Sequence, residues 1–152
     1  MSDLLDHNTS ETLDELAEIV AETLDGLAEA GAVTTPLPLV ADDSSTVIEA
    51  TLPIVGPDMR ARLTVRTSLA NAIALTVGFT DEPVDDVTVD DACGTLAEMC
   101  NVFGGSAKTM FSEETALEVP TCRAVELDTL TPLATAHVTH ELGTFDVHVG
   151  ED

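Results

Sequence analysis

Apolar positions first recur at helical spacing. Leu13, Leu16, Ile19, Val20, Leu24 and Leu27 fall on one face, acidic residues crowd the other, and Gly31 stops the run. Ser10 or Thr12 is placed to cap this helix. Residues 34–45 hold two prolines and an Asp-Asp-Ser-Ser cluster and read as a loop with room for one short extended piece. The period then changes to two. Residues 46–55 are rich in β-formers, Gly56-Pro57-Asp58 turns the chain, and Met59, Ala61, Leu63 and Val65 alternate with Arg60, Arg62, Thr64 and Arg66, a half-buried hairpin strand. Ser68 is placed to cap a second helix that passes through residues 75–77 and ends near Gly78. An acidic connector over residues 80–89 delivers the chain to a helix over residues 90–111, whose Asp90 and Asp91 suit the positive end of its dipole. Strands follow at 117–119, 121–127, 132–142 and 144–149, with Gly143 opening a final hairpin. The predicted class is α+β, helices packed on a mostly antiparallel sheet.

The helix over residues 90–111 carries polar residues that a helix does not need. At ~100° per residue, Leu96, Met99, Cys100, Phe103, Ala107, Met110 and Phe111 share one face, and Gly94, Glu98, Asn101, Gly105 and Lys108 the opposite one. Asn is a mediocre helix former, and each interior glycine costs about 1 kcal/mol relative to Ala, so Gly104 and Gly105 answer some other demand. A missing side chain lets something come close. Glu98 and Asn101, about a turn apart, present a carboxylate and an amide to the same partner. Neither supplies a nucleophilic thiol or hydroxyl, and an amide has no useful pKa for acid or base work. What remains is orientation: an amide both donates to and accepts from a water, holding it in line with a phosphoryl group.

Glu98-x-x-Asn101 followed by Gly104-Gly105-x-Ala107-Lys108 resembles the signature helix of the CheX and CheC class of chemotaxis phosphatases. The match begins at Asp91-Ala92-Cys93-Gly94 and runs through Lys108, and the Glu-Val-Pro-Thr of residues 118–121 resembles the strand entry that follows the helix in that class. The resemblance covers roughly residues 10 to 149 and is weakest in the first forty. Ser106 departs from it, since many relatives carry Asn there. The first helix has Glu15 and Glu18 at the same spacing without a following Asn, and the second has no such pair; one site instead of two favours the CheX branch. The resemblance implies a CheC/CheX-like α+β domain that hydrolyses the aspartyl phosphate of a CheY-like response regulator. In that reading Asn101 inserts to orient the attacking water, Glu98 pairs with a regulator lysine, and Gly94, Gly105 and Lys108 contact the partner. Mg²⁺ sits on the regulator and the chain binds no cofactor of its own. The resemblance also implies a homodimer formed through the sheets. The alternatives are a non-catalytic binding or assembly module on the same scaffold and, more weakly, a flagellar-switch component.

Composition narrows this further. With 152 residues and 44% hydrophobic content, the chain suits one domain with a proper core, residues 1–9 forming a flexible tail. Against 29 acidic residues stand five cations, Arg60, Arg62, Arg66, Lys108 and Arg123, and a net charge of −24 repels nucleic acid and anionic membrane alike. Such acidity is a solubility adaptation to high salt or a lure for a basic partner, and the first is preferred. The three arginines sharing one strand face are read as answering carboxylates across the sheet. Cys93, Cys100 and Cys122 cannot all pair, Cys93 and Cys100 are too far apart along a helix for a disulfide, and reduced, buried thiols are expected. No run approaches a membrane span and no basic leader opens the chain, so a cytoplasmic protein is expected. Of the four histidines, His7, His137, His140 and His148, two stand an odd number apart on a strand and point to opposite faces, so no metal site is assigned. Phosphate loops, nucleophile elbows and H-E-x-x-H helices are absent from the sequence.

Overall fold

The structure, a computed structural model, describes residues 9–41, 45–111 and 114–151. Residues 1–8 of the expected tail, His7 among them, lie outside the described residues, as do residues 42–44 of the Asp-Asp-Ser-Ser loop.

Six strands form one sheet among the described residues: β1 (Thr46–Gly56), β2 (Met59–Ser68), β3 (Ala116–Leu117), β4 (Thr121–Glu126), β5 (Ala136–His140) and β6 (Gly143–Glu151). Each pairing is antiparallel, and the order runs β3-β1-β2-β6-β5, with β4 sharing the outer edge of β1. The period-two pattern decides which side is covered. Ile48, Ala50, Leu52 and Ile54 of β1, with Ala61, Leu63 and Val65 of β2, are buried in one cluster with Phe145, Val147 and Val149 of β6. Three helices, α1 (Thr9–Glu29), α2 (Leu69–Thr80) and α3 (Val89–Ala107), close over that side, α3 lying between the other two. Leu16, Val20 and Leu24 of α1 and Leu96, Met99 and Phe103 of α3 complete the core, where Phe103 meets Phe145 edge to face at 6.1 Å. The expected architecture is present.

On the other side of the sheet Arg60 and Arg66, two of the three arginines of the β2 face, find carboxylates, as their alternation anticipates. Buried Glu49 accepts from Arg66 Nε at 2.7 Å and from Arg123 Nη2 at 3.1 Å, and Arg60 pairs with Glu118 at 3.2 Å. Residues 127–135 then cross this face from β4 at one edge to β5 at the other. Arg66 Nη2 donates to the Thr131 carbonyl and His148 Nδ1 to that of Ala134, both at 2.7 Å. That crossing corrects the strand expected over 132–142, which is regular only at β5.

Other boundaries move for local reasons. The first helix already includes Thr9, so Ser10 and Thr12 lie inside it and do not cap it; Thr12 is buried. Ser68 does cap α2, accepting from the Asn71 N–H at 3.0 Å, but Gly78 does not end that helix. Asp81, left-handed at φ 61°, ends it, and Gly78 is small because Val33 and Leu37 press on it, 2.6 and 2.7 Å from where a Cβ would stand.

Candidate functional site

The third helix starts on a capping box: Thr88 Oγ1 accepts from the Asp91 N–H at 3.1 Å, and Asp91 Oδ2 accepts from the Thr88 N–H at 3.0 Å. Asp91 therefore serves the helix start. Two hydroxyl pairs fasten α3 to its neighbours, Thr95 to Thr76 of α2 at 2.7 Å and Ser106 to Thr23 of α1 at 3.0 Å. Ser106, the departure from the resemblance, is thus a joint between helices. Beneath α3 lies β1, and a Cβ on Gly104 would run into the Leu52 side chain. That glycine is what allows helix and strand to approach.

Gly105, its neighbour, has a different environment. Nothing lies within 4 Å of where its Cβ would point, and the same holds at Gly94. Gly94, Glu98, Asn101, Gly105 and Lys108 are all exposed along the outward stripe. Each sequence-predicted site residue is thereby placed on one surface, with Glu98 and Asn101 at its centre and a bare glycine to either side. Neither of the two central side chains has a hydrogen-bond partner among the described residues. A carboxylate and an amide held on a fixed helix with their hydrogen-bonding capacity unspent are equipped to receive a cation and a water from outside.

Grooves flank this crest. Between α1 and α3 runs one of about 560 Å³, its walls including Ile19, Leu27 and Val102. Between α2 and α3 runs another of about 290 Å³, bordered by Phe79, Glu82, Asp90, Asp91 and Glu98. Their existence depends on how far apart three helices sit, which no sequence period reveals.

The thiols are elsewhere. Cys122, on the inward side of β4, meets Cys93 on α3, a contact that the period of neither segment discloses. Burial pushes the Cys100 thiol up to about 12; burial and then the Cys93 contact do the same for Cys122. All three are free, as expected, but only Cys100 is buried and Cys93 and Cys122 are half-buried; a raised pKa keeps Cys100 and Cys122 from being activated nucleophiles. His137 bonds Asp146 and His140 bonds Asp25 of α1, each at 2.7 Å and on opposite sides of the sheet. Among the described residues no three His, Cys, Asp or Glu side chains stand together to hold a metal ion, and no helix is long and apolar enough to cross a membrane.

No protein-family model matches the sequence, nor does any curated protein. Solved structures do. The chemotaxis protein CheX from Vibrio vulnificus superposes at a TM-score of 0.63 with 10% identity, over 94% of this chain and 97% of that one. A CheC-like superfamily protein from Shewanella sp. PV-4 gives 0.62 with 14% identity, over 88% and 95%. The fold is that of CheX. A chain of the CheX–CheY–BeF₃–Mg²⁺ complex from Borrelia burgdorferi shares this CheX-like fold at a TM-score of 0.57 and 12% identity, over 93% and 96%. At such identities the likeness is one of fold, and the CheX-like architecture leaves the activity to be argued from the chain's own residues.

Proposed function

We propose that this chain is a chemotaxis-type phosphatase that accelerates hydrolysis of the aspartyl phosphate of a CheY-like response regulator. What carries the reading is the unpartnered Glu98–Asn101 pair, exposed on a helix of a CheX-like fold. The related fold in Borrelia burgdorferi is solved together with CheY, BeF₃ and Mg²⁺, which supports the choice of partner. Asn101 enters the regulator's active site and holds a water in line with phosphorus, its amide oxygen accepting from that water. The Glu98 carboxylate receives a regulator lysine and fixes the approach. Gly94 and Gly105 let the partner come close to the backbone at either side, and Lys108 contacts the partner at the far end of the stripe. Mg²⁺ is held by the regulator's own acidic pocket. The chain contributes position and charge, which is most of what phosphoryl transfer requires.

The test is a time course of aspartyl-phosphate loss from a phosphorylated regulator of the same organism. An interaction made chiefly in the transition state shows in kcat, so Asn101→Ala should lower kcat roughly 100-fold while binding stays within about twofold. Glu98→Ala should raise KM and lose part of its salt sensitivity, because a rim ion pair acts on docking. Both variants keep the helix, since Ala is the better helix former. A folded Asn101→Ala protein as active as the parent removes the phosphatase reading and leaves a binding module.

A further inference from the structure

Val102 follows Asn101 and is 43% exposed, turned about 100° around α3 toward α1. Across the groove it faces Ile19 and Leu27. Gly26 lies open between, with nothing within 4 Å of where its Cβ would stand. The hydroxyls lining the groove are already used, since Thr23 and Ser106 bond each other and Thr109 Oγ1 donates to the Ser106 carbonyl at 3.1 Å, and the Glu22 carboxylate stands exposed at the rim. Water gains little there, and an apolar side chain gains the walls. Along the outer margin, Glu11, Asp14, Glu18, Glu22, Asp25 and Glu29 of α1 are all exposed, recur at helical spacing and include no cation. Across the crest, Glu82, Asp90, Asp91 and Glu98 border the second groove, also without a basic residue.

We propose that the groove between α1 and α3 seats an apolar side chain presented by a basic surface element of the response regulator beside its phosphorylation site, and that this seat sets which regulator is accepted. The proposal rests on the phosphatase reading for the identity of the partner. A regulator that brings its phosphate to Asn101 covers Val102 as well, because the two residues are consecutive on the exposed side of one helix. Carboxylates on both margins then require the covering element to be basic, so charge orients the approach and the groove selects among basic partners by shape.

The experiment measures binding of the beryllofluoride-activated regulator by calorimetry, beside dephosphorylation of the phosphorylated form. Val102→Ala should weaken binding roughly fivefold and Val102→Glu at least tenfold, since one removes two methyls and the other puts a charge into the seat. Both losses should appear in KM and persist at high salt. Glu82→Gln with Asp90→Asn should weaken binding only at low salt. A folded Val102→Glu protein that binds as the parent overturns the groove proposal while leaving the phosphatase reading intact. If the parent binds the activated regulator and hydrolyses nothing, the phosphatase reading fails and the groove still stands or falls on the binding data. A parent that binds neither form of the regulator overturns both.

Discussion

Cys100 stands between Met99 and Asn101, fully buried, and its thiol is raised from 9.0 to about 12 by burial. An acid with a raised folded pKa keeps its proton in the fold after the unfolded chain has lost it. Between pH 9 and about 12 the folded state therefore binds more protons, and stability present below that window is lost as pH rises through it. Cys122, raised to about 12 as well, adds to the same window, which holds no tyrosine and, in Lys108, one lysine. The urea midpoint should fall from pH 8.5 to pH 10.5, with Cys100 contributing a slope approaching 1.4 kcal/mol per pH unit. Cys100→Ala, less stable throughout, should lose about half of the slope, Cys122 supplying the rest; an unchanged slope would show that burial of Cys100 is not a source of it. At this scale the sequence disclosed which side chains face inward and outward on α3, since both follow from a single period. It also ruled out a Cys93–Cys100 disulfide. It could not disclose that Cys122 meets Cys93, because that contact joins a strand to a helix and neither register nor packing depth is written in either segment.

Two adjacent glycines show how an element carries demands from both of its sides. Gly104 faces β1 and Gly105 faces solvent, so the same substitution should act in opposite directions. Gly104→Ala forces its methyl against Leu52 and should destabilise by about 1–3 kcal/mol despite the better helix propensity. Gly105→Ala meets nothing and should stabilise by up to about 1 kcal/mol. Thermal melts of the two variants decide it, and matching shifts would refute the difference in surroundings. The phosphatase reading adds that Gly105→Ala should raise KM, because its methyl stands where the partner approaches. From the sequence, both glycines were anomalies of one kind. What separated them was the distance from helix to sheet. Element boundaries were blurred in a similar way: Gly78 looks like a helix stop, yet it is a packing site, and the left-handed turn falls on Asp81, a residue type that tolerates it.

Across the whole molecule, charge is divided between the two sides of the sheet. All four arginines stand on the side away from the helices, Arg66 and Arg123 on Glu49 and Arg60 on Glu118, while Lys108 is the one cation of the helical side among the described residues. Carboxylates on α1 face no opposite charge along their own helix. Self-repulsion of this kind is screened over about 10 Å at 0.1 M salt, so the melting temperature should rise between dilute buffer and molar salt. A flat response would argue against both the repulsion and the adaptation to high salt. Class and layer order were legible, because period-two and period-3.6 segments must pack against one another. The path of residues 127–135 was not, since a crossing segment has no period of its own. That path also bears on how quickly the protein can be made. Each of the hairpins β1–β2 and β5–β6 closes locally, but the ladder uniting them sets Arg66 opposite Asp146, across more than half the chain. Loop-closure entropy falls on that seam and on the β1–β4 ladder, which sets Thr46 opposite Glu126, so refolding should run on the order of milliseconds to seconds, slow for so helical a surface. Substitutions along β2–β6 and β1–β4 should then govern the refolding rate, while those on the exposed stripe of α3 leave it alone.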